Sequence, residues 1–150
     1  MNTIKAGCQC GAVRLVAKGR PERVGLCHCQ ACRRHHGAPF YAAAIFAVDA
    51  VRIEGRTRSY KGRCFCPVCG SSVFARSGDE IEIHLGALDV PDQFRPTYEL
   101  WSEQRAAWLP DIAGVTRYAQ GCGDETPSQA AFQGKASTLC KAGRVSICCR

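Results

Sequence analysis

A mainly β domain is the fold class this sequence predicts, and three observations predict it. Short apolar segments recur with alternating or continuous hydrophobicity. Turn residues punctuate them at short intervals. Helical periodicity is weak almost throughout. Several short strands of this kind require sheets packed on one another or folded over, so that each buries its apolar face.

The elements follow in chain order. Residues 12–17 alternate loosely, and Val24-Gly25-Leu26 reads as a short strand. Residues 40–48 form a continuous apolar run, and 51–54 alternate again. Residues 72–75 follow, and then 80–85, which alternate strictly, so that one face is expected to be buried and the other wet. Gly55, Gly62, Ser77-Gly78-Asp79 and Val90-Pro91-Asp92 supply turns between them. Only 102–108 carries a helical period, and no internal repeat is convincing. Phe40, Phe46, Phe74, Trp101 and Trp108 read as core or pocket-wall aromatics. His84 reads as a partly buried, hydrogen-bonded histidine, and Asp89 as turn chemistry. Beyond Tyr118 the composition shifts to Gly, Ser, Thr, Gln and Ala, which divides the chain into a domain at 4–118 and a flexible or loosely docked tail at 119–150. Cys122, Cys140, Cys148 and Cys149 lie in that tail at irregular spacing and read as free thiols.

A chain of 150 residues accommodates one domain with a real core. Its 46% hydrophobic and 22% charged content is ordinary for a soluble protein. Neither an apolar secretory core nor a membrane-length run is visible, so a cytoplasmic protein is expected. That setting governs the reading of twelve cysteines. In a reducing compartment, closely spaced pairs are metal ligands more often than disulfides. The formal charge of +7, lowered but still positive once thiolates and metal are counted, suits anionic small molecules and would also permit nucleic-acid contact, so charge alone favours neither. No nucleotide-binding glycine loop is present.

Seven cysteines fall in three clusters: Cys8-Gln9-Cys10, Cys27-His28-Cys29-Gln30-Ala31-Cys32 and Cys66-Pro67-Val68-Cys69. Cys8, Cys10, Cys66 and Cys69 make four thiolates, enough for a closed tetrahedral zinc site. Gly11 and Gly70 follow the two pairs, where tight knuckle turns need a residue that tolerates positive φ. Cys64 forms a further C-x-C with Cys66 and is read as a neighbour, not a ligand. Cys27, Cys29 and Cys32 supply only three thiolates. Either a substrate thiolate, water or carbonyl oxygen takes the fourth position, as in catalytic sites, or one of His28, His35 and His36 closes it. His36, four residues after Cys32, is in reach, whereas His28 would have to turn away from the direction of its neighbours.

Together these residues resemble the glutathione-dependent formaldehyde-activating enzyme family, which also includes centromere protein V. The resemblance is carried by Gly7-Cys8-Gln9-Cys10-Gly11-Ala12-Val13-Arg14, by Cys27-His28-Cys29-Gln30-Ala31-Cys32-Arg33-Arg34-His35-His36-Gly37-Ala38-Pro39-Phe40, and by Phe65-Cys66-Pro67-Val68-Cys69-Gly70-Ser71. Leu85-Gly86-Ala87-Leu88-Asp89 and Trp101-Ser102-Glu103-Gln104-Arg105-Ala106-Ala107-Trp108-Leu109 extend it over about residues 4–118. It implies a β-tent-like fold around a structural zinc, with a second zinc held by Cys27, Cys29 and Cys32 where chemistry occurs, hence two Zn²⁺ per chain. It further implies a carbon–sulfur lyase that joins glutathione to formaldehyde as S-(hydroxymethyl)glutathione. Arg33 and Arg34 would pair with the carboxylates of the thiol substrate, since guanidinium forks suit them. The chain is shorter than the enzyme proper, and its tail matches nothing in the family.

Three readings follow, the last a redox or metal-buffering role drawing on Cys140, Cys148 and Cys149. In the first the protein is a zinc enzyme whose partners are a small-molecule thiol such as glutathione and an aldehyde; neither membrane nor nucleic acid is expected as a partner. In the second it is a non-catalytic, zinc-stapled binding module that contacts protein or nucleic acid. The sequence leaves the oligomeric state open.

Overall fold

In order along the chain run β1 (Thr3–Gly7), β2 (Arg14–Lys18), β3 (Arg23–Cys27), α1 (Gln30–His36), β4 (Tyr41–Ala47), β5 (Val51–Glu54), β6 (Arg58–Tyr60), β7 (Arg63–Phe65), β8 (Ser72–Ser77), β9 (Glu80–His84), β10 (Tyr98–Leu100) and β11 (Thr116–Arg117). This computed structural model describes residues 2–121; the segment 122–150, with Cys122, Cys140, Cys148 and Cys149, lies outside the described residues. The mainly β expectation holds. No described helix is long and apolar enough to cross a membrane.

Two sheets form. The smaller is the antiparallel trio β1-β2-β5, and the larger runs β11-β10-β3-β4-β9-β8-β7-β6. In the larger sheet β10 lies parallel to both β3 and β11, while the other neighbours pair antiparallel. The main core cluster lies between the sheets. Ile4, Ala6, Leu15 and Ala17 come from the small sheet and Val24, Ala44, Phe46, Phe74, Ile81 and Ile83 from the large one. Burying each phenylalanine alone contributes roughly 2–3 kcal/mol.

The run at 40–48 is apolar throughout because β4 is covered on both faces. Ala44 and Phe46 turn into the main core, while Tyr41, Ala43 and Ile45 join a second cluster with Cys27, Cys29, Cys32, Tyr98 and Leu100. That second cluster is where the structure departs from the expectation for 80–85. All five residues of β9 are buried, so neither face is wet. Ile81 and Ile83 enter the main core. On the polar face Glu80 accepts from Arg23 Nη1 and Nη2 at 2.8 and 2.7 Å, Glu82 accepts from the Tyr41 hydroxyl at 2.6 Å, and His84 Nδ1 meets Ser72 Oγ at 3.1 Å. Alternation reports chemistry, not solvent. A buried charged face survives when each group finds a partner, as these do.

The helix is also not where its period suggested. Residues 102–104 make a single 3₁₀ turn, and 105–108 are not helical. Among the described residues the one α-helix is α1, seven residues long, begun by Cys29 as N-cap and ended by Gly37 in the left-handed region. Two turns are too few to show a period, and local capping defines this helix instead. Phe46 and Phe74 are core residues as expected, but Trp108 is 71% exposed. The first residues of the expected tail are tied down: Gln120 and Ala119 accept backbone hydrogen bonds from Trp101 and Glu103 at 3.0 and 3.5 Å.

Candidate metal centres and the adjoining groove

Cys8 directly follows the first strand, Cys10 lies in the turn after it, and Cys66 and Cys69 bracket the turn after β7. Their four sulfurs lie within 4.8 Å of one another. The Sγ–Sγ distances are 3.5 Å for Cys8–Cys10 and 3.7 Å for Cys10–Cys66. Gly11 at φ 80° and Gly70 at φ 75° make the knuckle turns that bring the pairs inward. Amide groups then point at sulfur: Val13 N–H donates to Cys8 Sγ at 3.1 Å and Val68 N–H to Cys66 Sγ at 3.4 Å.

The electrostatics of this group suit a cation. Hydrogen bonds from the Ser71 hydroxyl and then the Ser71 amide pull the Cys69 thiol down to about 5. Cys10 is pushed up to about 12: the Ala12 amide favours its thiolate, but the crowding sulfurs of Cys8, Cys69 and Cys66 outweigh it. Four adjacent sulfurs cannot all be anionic unaided. A divalent, thiophilic ion removes that repulsion, so the donor set fits one. Cys64 is not in the group. It faces the main core, and burial pushes its thiol up.

The second group is Cys27, Cys29 and Cys32, again with all three sulfurs within 4.8 Å. Cys27 closes β3, Cys29 caps α1, and Cys32 lies in its first turn. Cys29 Sγ accepts the Cys32 amide at 3.4 Å, so a capping bond also orients a candidate metal ligand. All three are buried. None of the eight described cysteines is in a disulfide.

No histidine nitrogen or carboxylate oxygen among the described residues joins these three sulfurs. The chain is extended through Cys29 (φ −61°, ψ 149°), so alternation turns Cys27 and Cys29 one way and His28 the other. His28 is buried, with Nε2 2.9 Å from Glu99 Oε2, and its amide donates to Leu100 O at 3.1 Å. His36 stacks on Tyr41 at 4.7 Å between centroids and 25° between planes. His35 meets His36 edge-on at 4.9 Å. None of the three histidines weighed as a fourth ligand groups with these sulfurs, although His28 Nδ1 and His35 Nε2 are buried without a hydrogen-bond partner.

Arg33 and Arg34 lie on α1, the helix that Cys29 begins. With Gln30, Gly37, Ala38, Pro39 and Trp108 they line an open groove of about 480 Å³. Arg33 Nη1 donates to Gln104 O at 3.3 Å, and Gln104 Oε1 accepts the Gln30 amide at 3.0 Å, so the groove wall is braced by 104. Trp108 is thus a wall residue and not core.

Sequence reasoning missed Glu99. It is buried and accepts from His28, from Arg117 Nε at 2.5 Å, and lies 3.5 Å from Arg105 Nε. Although burial opposes ionisation, its hydrogen bonds with His28 and Arg117 hold the carboxyl below the usual range. Flanked by Tyr98 and Leu100 in a three-residue strand, it carries no periodic signal.

A sequence model of the family described as glutathione-dependent formaldehyde-activating enzyme matches residues 3–104, which include both cysteine groups, Arg33, Arg34 and Glu99. No curated protein matches the chain closely enough to count as a relative.

Proposed function

Because the chain belongs to the glutathione-dependent formaldehyde-activating enzyme family, we propose that it is a cytoplasmic, zinc-dependent enzyme of the carbon–sulfur lyase class. Its substrates are glutathione, or another anionic thiol, and formaldehyde or a related aldehyde. The observation that carries this reading is the pair of unequal cysteine groups among the described residues: four converging sulfurs in one and three in the other.

In this reading Cys8, Cys10, Cys66 and Cys69 hold a structural zinc that staples the small sheet to the large one. Cys27, Cys29 and Cys32 hold the second. A zinc ion there supplies the positive charge that keeps a thiol deprotonated at neutral pH. The protein's own groups do the rest. Arg33 and Arg34 receive the carboxylates of the thiol substrate in the groove, and the Trp108 indole offers it an apolar wall. Sulfur forms a bond to the aldehyde carbon, the carbonyl π pair moves to oxygen, and oxygen takes up the proton that the thiol gave up. The reverse sequence is the lyase direction.

Native mass spectrometry of the intact chain, with and without millimolar glutathione, tests this. Two zincs are expected, with a glutathione adduct that is lost in Cys29→Ser along with one zinc and turnover. Arg34→Gln and Trp108→Ala should raise KM for glutathione about tenfold while retaining both zincs. Undiminished turnover in folded Cys29→Ser overturns the proposal.

A further inference from the structure

Resting on that reading of Cys27, Cys29 and Cys32 as a metal site, we propose that Glu99 is a positioning residue for this cysteine group, acting through His28. His28 stands between two of the three cysteines, and β10 holds it twice. Leu100 O accepts its amide at 3.1 Å, and Glu99 Oε2 lies 2.9 Å from its Nε2. The parallel register sets Leu100 beside Cys27 and Glu99 beside Leu26, so both grips come from the strand next door.

The consequence is geometric. In an extended stretch, fixing the middle side chain on one side fixes its two neighbours on the other. With His28 locked in the interior, the Cβ–Sγ bonds of Cys27 and Cys29 are aimed together toward Cys32. Glu99 is itself fixed on its other oxygen. Arg117 Nε donates to Oε1 at 2.5 Å while Arg117 Nη2 donates to Asp111 Oδ1 at 2.5 Å. Arg105 lies 3.5 Å from Oε2 and within 4.0 Å of Asp111. Arg105, Asp111 and Arg117 all follow residue 104, so the brace is completed by chain outside the matched family span. Groups that orient metal ligands from behind typically change metal affinity 10–100-fold when removed.

Cobalt titration of the full chain, stripped of metal, provides the test. The probe is Co²⁺ alone, followed by its thiolate charge-transfer and d–d absorption. Parent protein is expected to take up two equivalents. In Glu99→Gln the first should bind as in the parent, serving as an internal check of the fold. The second should bind about 10–100-fold more weakly and with altered d–d bands. Arg117→Gln, a change at a partly exposed edge position, should shift the second equivalent in the same direction by a smaller factor. Unchanged affinity and spectrum of the second equivalent in folded Glu99→Gln overturn the inference alone. If Glu99→Gln does not fold, an unchanged second equivalent in Arg117→Gln overturns it. A parent protein that binds one equivalent overturns the inference and the metal reading together.

Discussion

The imidazole of His36 meets that of His84 edge-on, with 4.6 Å between ring centroids and 81° between planes. It joins the end of α1 to β9, and Tyr41 packs against both rings.

The pair makes stability depend on pH in a defined direction. Burial first, then His35 and Arg63, pull His36 down to about 4. Burial first, then His36, pulls His84 well below 6.5. Both are neutral in the folded protein at neutral pH. Below pH 6.5 the unfolded chain binds protons that the folded chain does not, so stability falls as pH drops from about 6.5 toward 4. The loss should be on the order of 2 kcal/mol for His36. Urea midpoints at pH 7 and pH 5 measure it. His36→Phe, which keeps the stacking on Tyr41, should lose less over that window than the parent.

Gly25 lies in β3 under the Tyr98 ring, which an added Cβ would overlap. Gly25→Ala must displace Tyr98 and loosen the β3–β10 pairing, one residue from Leu26 and two from Cys27. We expect a loss of about 1–3 kcal/mol, as overpacking generally costs. Zinc stoichiometry should fall toward one, because the pairing that holds Cys27 is disturbed while the four-cysteine group is not. Full stability with two zincs retained would count against this.

The four-cysteine group should govern global folding. Cys69→Ser is expected to give insoluble or unfolded protein, since metal at such sites contributes about 10 kcal/mol or more. Chelation of the parent protein should lower its melting temperature sharply. A folded Cys69→Ser protein of native-like stability would remove the structural role.

Much of the domain was legible because its signals are local. Cysteine spacing reveals the two groups without any fold, and glycine after each knuckle announces the turns that close one of them. Strands β2, β4, β5, β8 and β9 follow from hydrophobic pattern. What escaped depends on partners far away in sequence. The polar face of β9 reads as wet until Arg23, Tyr41 and Ser72 are brought against it. Helix α1 escaped because two turns carry no period, and the Ser102–Gln104 turn was overread because one charged stretch imitates one. His28 and Glu99, 71 positions apart, are individually unremarkable and acquire meaning only through the β3–β10 register.

That register also orders events in time. β3 and α1 are made early, but the strand that lies beside Cys27 and grips His28 is made late, and its outer neighbour β11 later still. At synthesis rates of about 5–20 residues per second, Cys27, Cys29 and Cys32 wait on the order of ten seconds for that support. Pairing so remote in sequence is slow to close. A nascent chain therefore holds three reactive thiols, unsupported by β10, for longer than most of its hairpins take to form. Oxidant or a wrong metal arriving in that interval would meet the site at its most vulnerable.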